Sequence, residues 1–248
     1  MYQARCLNYA PYSTSALACF TIDQMPRLPF ITFEGSEGCG KSTQVQRLAA
    51  RFEQAGIPYL VTREPGGTPI GETIRELLQF APHGGTMTPQ TELLLFEASR
   101  SQLVRETIKP ALDRGLCVIS DRFFDSTTVY QGAARKLDAE MVARLNRFVA
   151  GDSIPDLTFI LDVDPVIARS RMKRTVRKPD RMEQESREFY DQVRAGYQEL
   201  AVREPRRIVL IDGVRPADEV EHEIWEMIST RFPKLASKAK SKSQKSKT

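Results

Sequence analysis

Several residue types are scarce in this 248-residue chain, and each scarcity excludes something. Histidine occurs twice, at His83 and His222, and neither falls within any motif described below. The four cysteines, Cys6, Cys19, Cys39 and Cys117, form no CxxC pair and have no histidine at metal-ligand spacing. Zinc and a disulfide scaffold are therefore not expected, and a reducing cytosol, hence a cytoplasmic setting, fits this cysteine usage. No apolar run approaches the roughly 18 residues that a spanning helix needs, so no membrane span is expected. Acid is scarce in one place only: residues 233–248 hold six Lys and no Asp or Glu. Setting those six aside turns the formal charge of +4 into −2, so the body of the chain has no basic excess that would point to nucleic acid.

What is present is globular: 41% hydrophobic and 27% charged residues, over a length that suits one domain better than two. Residues 1–26 lack periodicity. They loosely resemble a transit peptide, or they precede a true start at Met25, and in either reading they form an extension outside the domain. The expected domain covers 27–232, and the Lys-rich stretch over 233–248 reads as a disordered tail.

Within the domain, β-rich runs recur at 30–34, 59–62, 116–120, 157–162 and 208–212, several of them apolar throughout, as in strands buried on both faces. Helical patterns lie between them at 42–54, 72–78, 90–112, 139–150, 165–174 and 183–201. This alternation predicts an α/β fold with a five-stranded parallel sheet flanked by helices. Ligands then bind beyond the carboxyl ends of the strands, so the residues following each strand carry the information.

The first strand runs into Gly35-Ser36-Glu37-Gly38-Cys39-Gly40-Lys41-Ser42-Thr43, which is G-x-x-x-x-G-K-[ST] opening a helix. Glycines let the backbone curl with its N–H groups inward, where a Cβ would block a phosphate. The helix N-terminus adds partial positive charge, Lys41 reaches the β- and γ-phosphates, and Ser42 can hold Mg²⁺. A nucleoside triphosphate such as ATP is the ligand this motif implies. It does not separate a kinase from a switch or a motor.

After the second strand come Arg63-Glu64-Pro65-Gly66-Gly67-Thr68, with Arg63 on the same rim as Lys41. Phe96 and Arg100 share one face of the long helix, a ring and a guanidinium able to hold a planar base by stacking and bidentate hydrogen bonding. Asp121-Arg122 ends the third strand, where a carboxylate can reach Mg²⁺ through water and an Arg can neutralise a substrate phosphate. The segment from Ser126 to Gly132 offers hydroxyls, an aromatic and an amide suited to sugar and base. Past the fourth strand, Arg169, Arg171, Lys173, Arg174, Arg177, Lys178 and Arg181 form a basic cluster over about 169–181. Placed there, it reads as a mobile Arg-rich lid able to close over a triphosphate.

Taken together, FEGSEGCGKST, TREPGGT, LFEASRSQLV, VISDRFFDSTTVYQG, LDVDP with the Arg-rich segment, and DRMEQES resemble the bacterial type of the thymidylate kinases, P-loop nucleoside monophosphate kinases. The resemblance runs from about Pro29 to Glu226. It implies phosphoryl transfer from Mg·ATP to dTMP, giving dTDP for dTTP synthesis. It implies that Phe96 stacks on thymine and Arg100 hydrogen-bonds it. Arg63 and Arg122, helped by Arg75, would hold the acceptor phosphate. Tyr130 would fill the space of a ribose 2′-hydroxyl, with Thr127 and Gln131 lining the base pocket, and Glu37 would accept the 3′-hydroxyl. Gly38 stands where the eukaryotic type carries an Arg after the acidic residue, so the resemblance assigns the catalytic Arg to the lid, as Arg171 or Arg174. It also implies a homodimer, with the 90–112 helix a candidate for the interface. The sequence departs from the family pattern in a lid about one residue longer, in its N-terminal extension and in the loop over 80–86.

The residues leave two other classes in view. A nucleoside kinase on the same scaffold would need a base for a free hydroxyl, a part open to Glu34 or Glu37. A nucleotide-operated switch or binding module would need no second, Arg-lined pocket.

Overall fold

The computed structural model describes residues 27–80, 86–173, 180–235 and 237. The extension over 1–26, His83 and its loop, Arg174, Arg177, Lys178 and most of the Lys-rich tail lie outside the described residues. Five strands, β1 (Phe30–Glu34), β2 (Tyr59–Arg63), β3 (Cys117–Asp121), β4 (Leu157–Asp162) and β5 (Ile208–Asp212), form one parallel sheet in the order β2-β3-β1-β4-β5. Each expected strand is present to within a residue at either end.

β1 is central and wholly buried, paired with β3 on one side and β4 on the other. Its side chains alternate as strand geometry requires. Ile31 and Phe33 face α1 (Lys41–Ala55) and α9 (Ala217–Arg231), where Val45, Leu48, Phe52, Ile224 and Ile228 complete a core. Phe30 faces the other way, into a cluster with Leu103, Ile108, Val118 and Phe123. Each such large apolar side chain contributes about 1.5–3 kcal/mol when fully buried. The chain leaves the ends of β1 and its neighbours in opposite directions, which opens a crevice at their carboxyl ends.

The remaining helices are α2 (Pro69–Phe80), α3 (Pro89–Leu103), α4 (Lys109–Asp113), α5 (Phe124–Thr127), α6 (Ala139–Ala150), α7 (Pro165–Met172) and α8 (Arg187–Arg203). The expected helix over 90–112 is there, with one wide π-helical turn at Val104–Ile108. Pro110 explains the turn: it has no N–H, and its ring crowds the carbonyl four residues back. α2 starts earlier than expected because Pro69 begins it and Thr68 Oγ1 accepts the Gly71 N–H at 3.0 Å. α8 starts later, at a Ser186 cap that accepts from Phe189 N, while Met182–Gln184 forms a separate tight turn.

Two helical stretches went unread in the sequence. α9 buries Val220, Ile224 and Ile228 at intervals of four, and Phe124–Ala134 coils into α5 and a second π turn. The packed chain also runs past residue 232, since Leu235 is 1% exposed and joins the α1–α9 core. Among the described residues, no helix is long and apolar enough to cross a membrane.

Candidate active site

The loop between β1 and α1 forms the floor of the crevice. Gly35 and Gly38 have φ of +128° and +76°. A Cβ on Gly38 would sit 2.4 Å from the Ala168 carbonyl oxygen, and one on Gly35 2.6 Å from that of Leu161, so neither position admits a side chain. Gly40, also at positive φ, leads into α1. Lys41 is buried, and its Nζ donates to Gly35 O (3.0 Å) and Ser36 O (2.8 Å). Ser42 Oγ donates to Asp121 Oδ2 at 2.6 Å, so the two residues assigned to Mg²⁺ meet at the end of β3. A hydroxyl and a carboxylate in contact at a phosphate loop suit a hard cation that takes its other oxygens from phosphates and water.

A cleft of about 980 Å³ opens from this loop. It is lined by Glu37, Gly38, Cys39, Gly40, Lys41, Ser42 and Thr43, and across from them by Arg63, Arg75, Phe96, Arg100, Asp121, Arg122, Thr127, Tyr130 and Gln131. Arg171 of α7 reaches its rim. Of the residues assigned from the sequence, Gly35 and Ser36 shape the loop without lining this cleft, and Arg174 lies outside the described residues.

Arg122 is the hub of the wall facing the loop, the side assigned from the sequence to an acceptor phosphate. It takes the left-handed backbone conformation, φ +73°, which turns it out of β3, and its amide donates to Phe33 O. Its guanidinium donates to Glu37 Oε1 at 2.7 Å and Ser126 Oγ at 2.9 Å, and lies over the Tyr130 ring. Tyr130 OH donates to Glu37 Oε2 at 2.8 Å. Burial alone would raise the Glu37 carboxyl, but the charges of Arg122 and Lys41 and the Tyr130 hydrogen bond more than offset it and hold Glu37 below the usual range. Burial likewise drives the Tyr130 phenol far up, so it stays a neutral donor.

Arg63 and Arg75 stand near one another. Arg63 NH2 donates to both Glu72 carboxylate oxygens, and Arg75 NH1 to Pro65 O. Burial lowers the Arg75 pKa, and the nearby Arg63 charge adds to the fall. Such a cluster favours an anion between its members.

At the end assigned from the sequence to a base, the structure refines the expectation for Arg100. Its side chain is 1% exposed, and its five N–H donors are engaged by Glu64 Oε2 (twice), Glu97, Asn146 and Thr127 Oγ1. Arg100 is thus a rigid fixture of the cleft wall that touches a base only by sharing those donors. Its holders, Glu64 and Glu97, went unread in the sequence, because burial of a charge shows only once strand and helix faces are fixed. Burial pushes the Glu64 carboxyl up to about 7, against the pull of Arg100 and with the Glu97 charge adding to the rise. Thr127 accepts from Arg100, which leaves its hydroxyl hydrogen free to donate. Gln131 Nε2 donates to Glu92 Oε1 at 2.7 Å. Phe96 is half-buried on α3 beside them.

At the opposite end, Gly213, Arg215, Ala217 and Val220 line the cleft from the β5–α9 connection. Arg215, paired with Glu223, was not foreseen, since nothing in the residues after β5 makes a motif. Arg171 donates to the carbonyls of Gly213 (3.0 Å) and Val214 (3.4 Å), which ties α7 to this same connection.

A parallel sheet in this order, a glycine loop with a buried lysine at its switch point and a second, guanidinium-lined pocket across the cleft define a P-loop nucleotide kinase. Comparison with known proteins agrees. The model of the family described as thymidylate kinase matches residues 33–224. Thymidylate kinases of Deinococcus radiodurans and Syntrophotalea carbinolica are 46% and 47% identical to the chain. They cover 82% and 79% of it, and 97% and 93% of their own lengths. The crystal structure of thymidylate kinase from Ehrlichia chaffeensis superposes with a TM-score of 0.66 at 36% identity, covering 82% of this chain and 99% of that one. The chain belongs to the thymidylate kinase family.

Proposed function

We propose that the protein transfers the γ-phosphoryl group of ATP to the 5′-phosphate of dTMP, giving dTDP and ADP. The observation that carries this reading is the meeting, in one cleft, of a triphosphate loop and a second pocket with its own cations and base-reading groups. The base end supports a thymine-type ring. Thr127 and Arg100 present donors and Gln131 an acceptor, matching a pyrimidine with an acceptor O4 and a donor N3–H, whereas cytosine carries the reverse pattern. Phe96 supplies a face for stacking.

An acceptor phosphate has a second pKa of about 6, so at neutral pH its attacking oxygen is already largely deprotonated and no general base is required. The protein's work is alignment and neutralisation. Loop amides and Lys41 hold the donor phosphates. Arg63, Arg75 and Arg122 hold the acceptor phosphate, and Glu37, kept ionised, is placed to accept the 3′-hydroxyl while Tyr130 packs against the sugar. Ser42 and Asp121 would hold Mg²⁺, which when bound would help neutralise the negative charge of the donor phosphates. Lid arginines, Arg171 or Arg174, supply the remaining positive charge, and lid closure excludes water that would otherwise take the phosphoryl group. Arg171 reaches a phosphate by exchanging its bonds to Gly213 and Val214.

The reading includes a homodimer, in which the exposed Leu94 of α3 and Phe148 of the adjoining α6 offer apolar surface, and a cytoplasmic setting, in keeping with free Cys39 and Cys117. The test is ADP release coupled to a spectroscopic readout, with Mg·ATP and dTMP, dUMP, dCMP, dGMP, AMP or thymidine. We expect dTMP to be the best acceptor and thymidine to be inert; turnover of thymidine without turnover of dTMP contradicts the reading.

A further inference from the structure

Glu92 lies in the first turn of α3, 1% exposed, and has no place in the chemistry above. Its Oε1 accepts from Gln131 Nε2 (2.7 Å) and Arg135 Nε (3.2 Å), and its Oε2 from Arg135 NH2 (3.2 Å) and Arg181 NH1 (2.6 Å). Burial alone would raise its carboxyl. Hydrogen bonds from Arg135 and Gln131 and the charges of Arg135 and Arg181 overcome that and hold it below the usual range. Glu92 is therefore a buried carboxylate locked in its ionised, acceptor-only form.

That fixes the side chain it holds. A carboxamide has a donor end and an acceptor end, and only the NH₂ can face an ionised carboxylate. Gln131 lines the cleft, so with its nitrogen committed to Glu92 the carbonyl oxygen is the group it offers to a base. The flipped amide would set its oxygen against Glu92 Oε1, two acceptors in contact with no proton between them.

We propose that Glu92 is a positioning residue that sets pyrimidine choice: by orienting the Gln131 carboxamide it makes the pocket an acceptor for a ring N3–H, as in thymine and uracil, and rejects the unprotonated N3 of cytosine. This rests on the dTMP reading above. The two arginines serve the same end, because they keep Glu92 charged. Arg181 is itself fixed by the carbonyls of Leu78 (3.0 Å) and Gln79 (3.2 Å) at the end of α2.

The test is the ratio of kcat/KM for dTMP to that for dCMP, with Mg·ATP saturating. In Glu92→Gln the new amide can donate or accept, so Gln131 is free to turn, and the ratio falls at least about tenfold. The reciprocal variant, Glu92→Gln with Gln131→Glu, reverses the pair, with the donor now at 92, and keeps an acceptor at 131 toward the base, so the ratio recovers most of that loss. A parallel fall for both nucleotides in Glu92→Gln with the ratio unchanged overturns the proposal, as does a folded double variant that shows no recovery. Where the single variant does not fold, the double variant decides alone: preference for dTMP supports the proposal and its loss overturns it. Wild-type protein run beside them separates the two levels. No dTMP turnover there sinks the functional reading and this inference together, whereas normal wild-type turnover with an unmoved ratio sinks only the inference.

Discussion

Glu34 ends β1 with its side chain wholly buried. It accepts from Phe123 N (2.8 Å), Ser126 Oγ (2.6 Å) and Tyr197 OH (2.9 Å), and so fixes the turn that carries Arg122. Burial, with Asp125 adding to it and Arg122 opposing, raises its carboxyl from 4.5 to about 7. In that range the native state holds a proton that the unfolded chain releases. The stability this group contributes is therefore fully present below about pH 4.5 and is lost as pH rises through about 7. Urea midpoints taken at pH 5, 6 and 7 should show a decline in the wild type and a shallower one in Glu34→Gln; equal slopes would show that Glu34 titrates normally. From the sequence, Glu34 stood only as a possible base for a hydroxyl acceptor. Its neighbours on α5 and α8 lie about 90 and 160 residues away, beyond any local pattern. Lys41 and Ser42 were legible because they close the glycine loop that follows β1, and Arg122 because it directly follows β3, whose end in a parallel sheet has one place to point.

At the scale of elements, α3 carries Phe96 and Arg100, the residues proposed to read the acceptor base. Phe96 and Arg100 sit four apart, and the first is half-open while the second is clamped by Glu64 and Glu97. Helical spacing showed the shared face, but not the difference in freedom, which depends on the β2 end and α6 packing against it. Stacking of a base on an aromatic side chain contributes about 1–3 kcal/mol. Phe96→Ala should accordingly raise KM for dTMP roughly tenfold while KM for ATP stays put; steady-state kinetics at saturating co-substrate decides it, and an equal rise in both values would remove Phe96 from the acceptor pocket. α9 shows the opposite failure. Its Val220, Ile224 and Ile228 repeat was open to reading, but the charged residues between them and the Pro216 start obscured it. The π turn before Pro110 follows from one residue that breaks a pattern otherwise right for helix.

Across the whole molecule, the cleft joins what the chain order separates. The β5–α9 connection and α7 line one end, proposed for the donor, while α2, α3 and the α5 region line the other, proposed for the acceptor, with β1 and its loop between them. The class of fold and the anionic character of both ligands could be read from strand-end motifs alone. The buried carboxylates that hold Arg100 and Gln131 could not, since each acts across elements far apart in sequence. The central claim is that donor and acceptor nucleotides lie tip to tip in one cavity of about 980 Å³. A dinucleotide with adenosine and thymidine joined 5′ to 5′ through a phosphate chain tests it most directly by steady-state inhibition. The account predicts one molecule bound per chain and competition with both ATP and dTMP, whereas competition with one substrate alone, at saturating concentrations of the other, would contradict it.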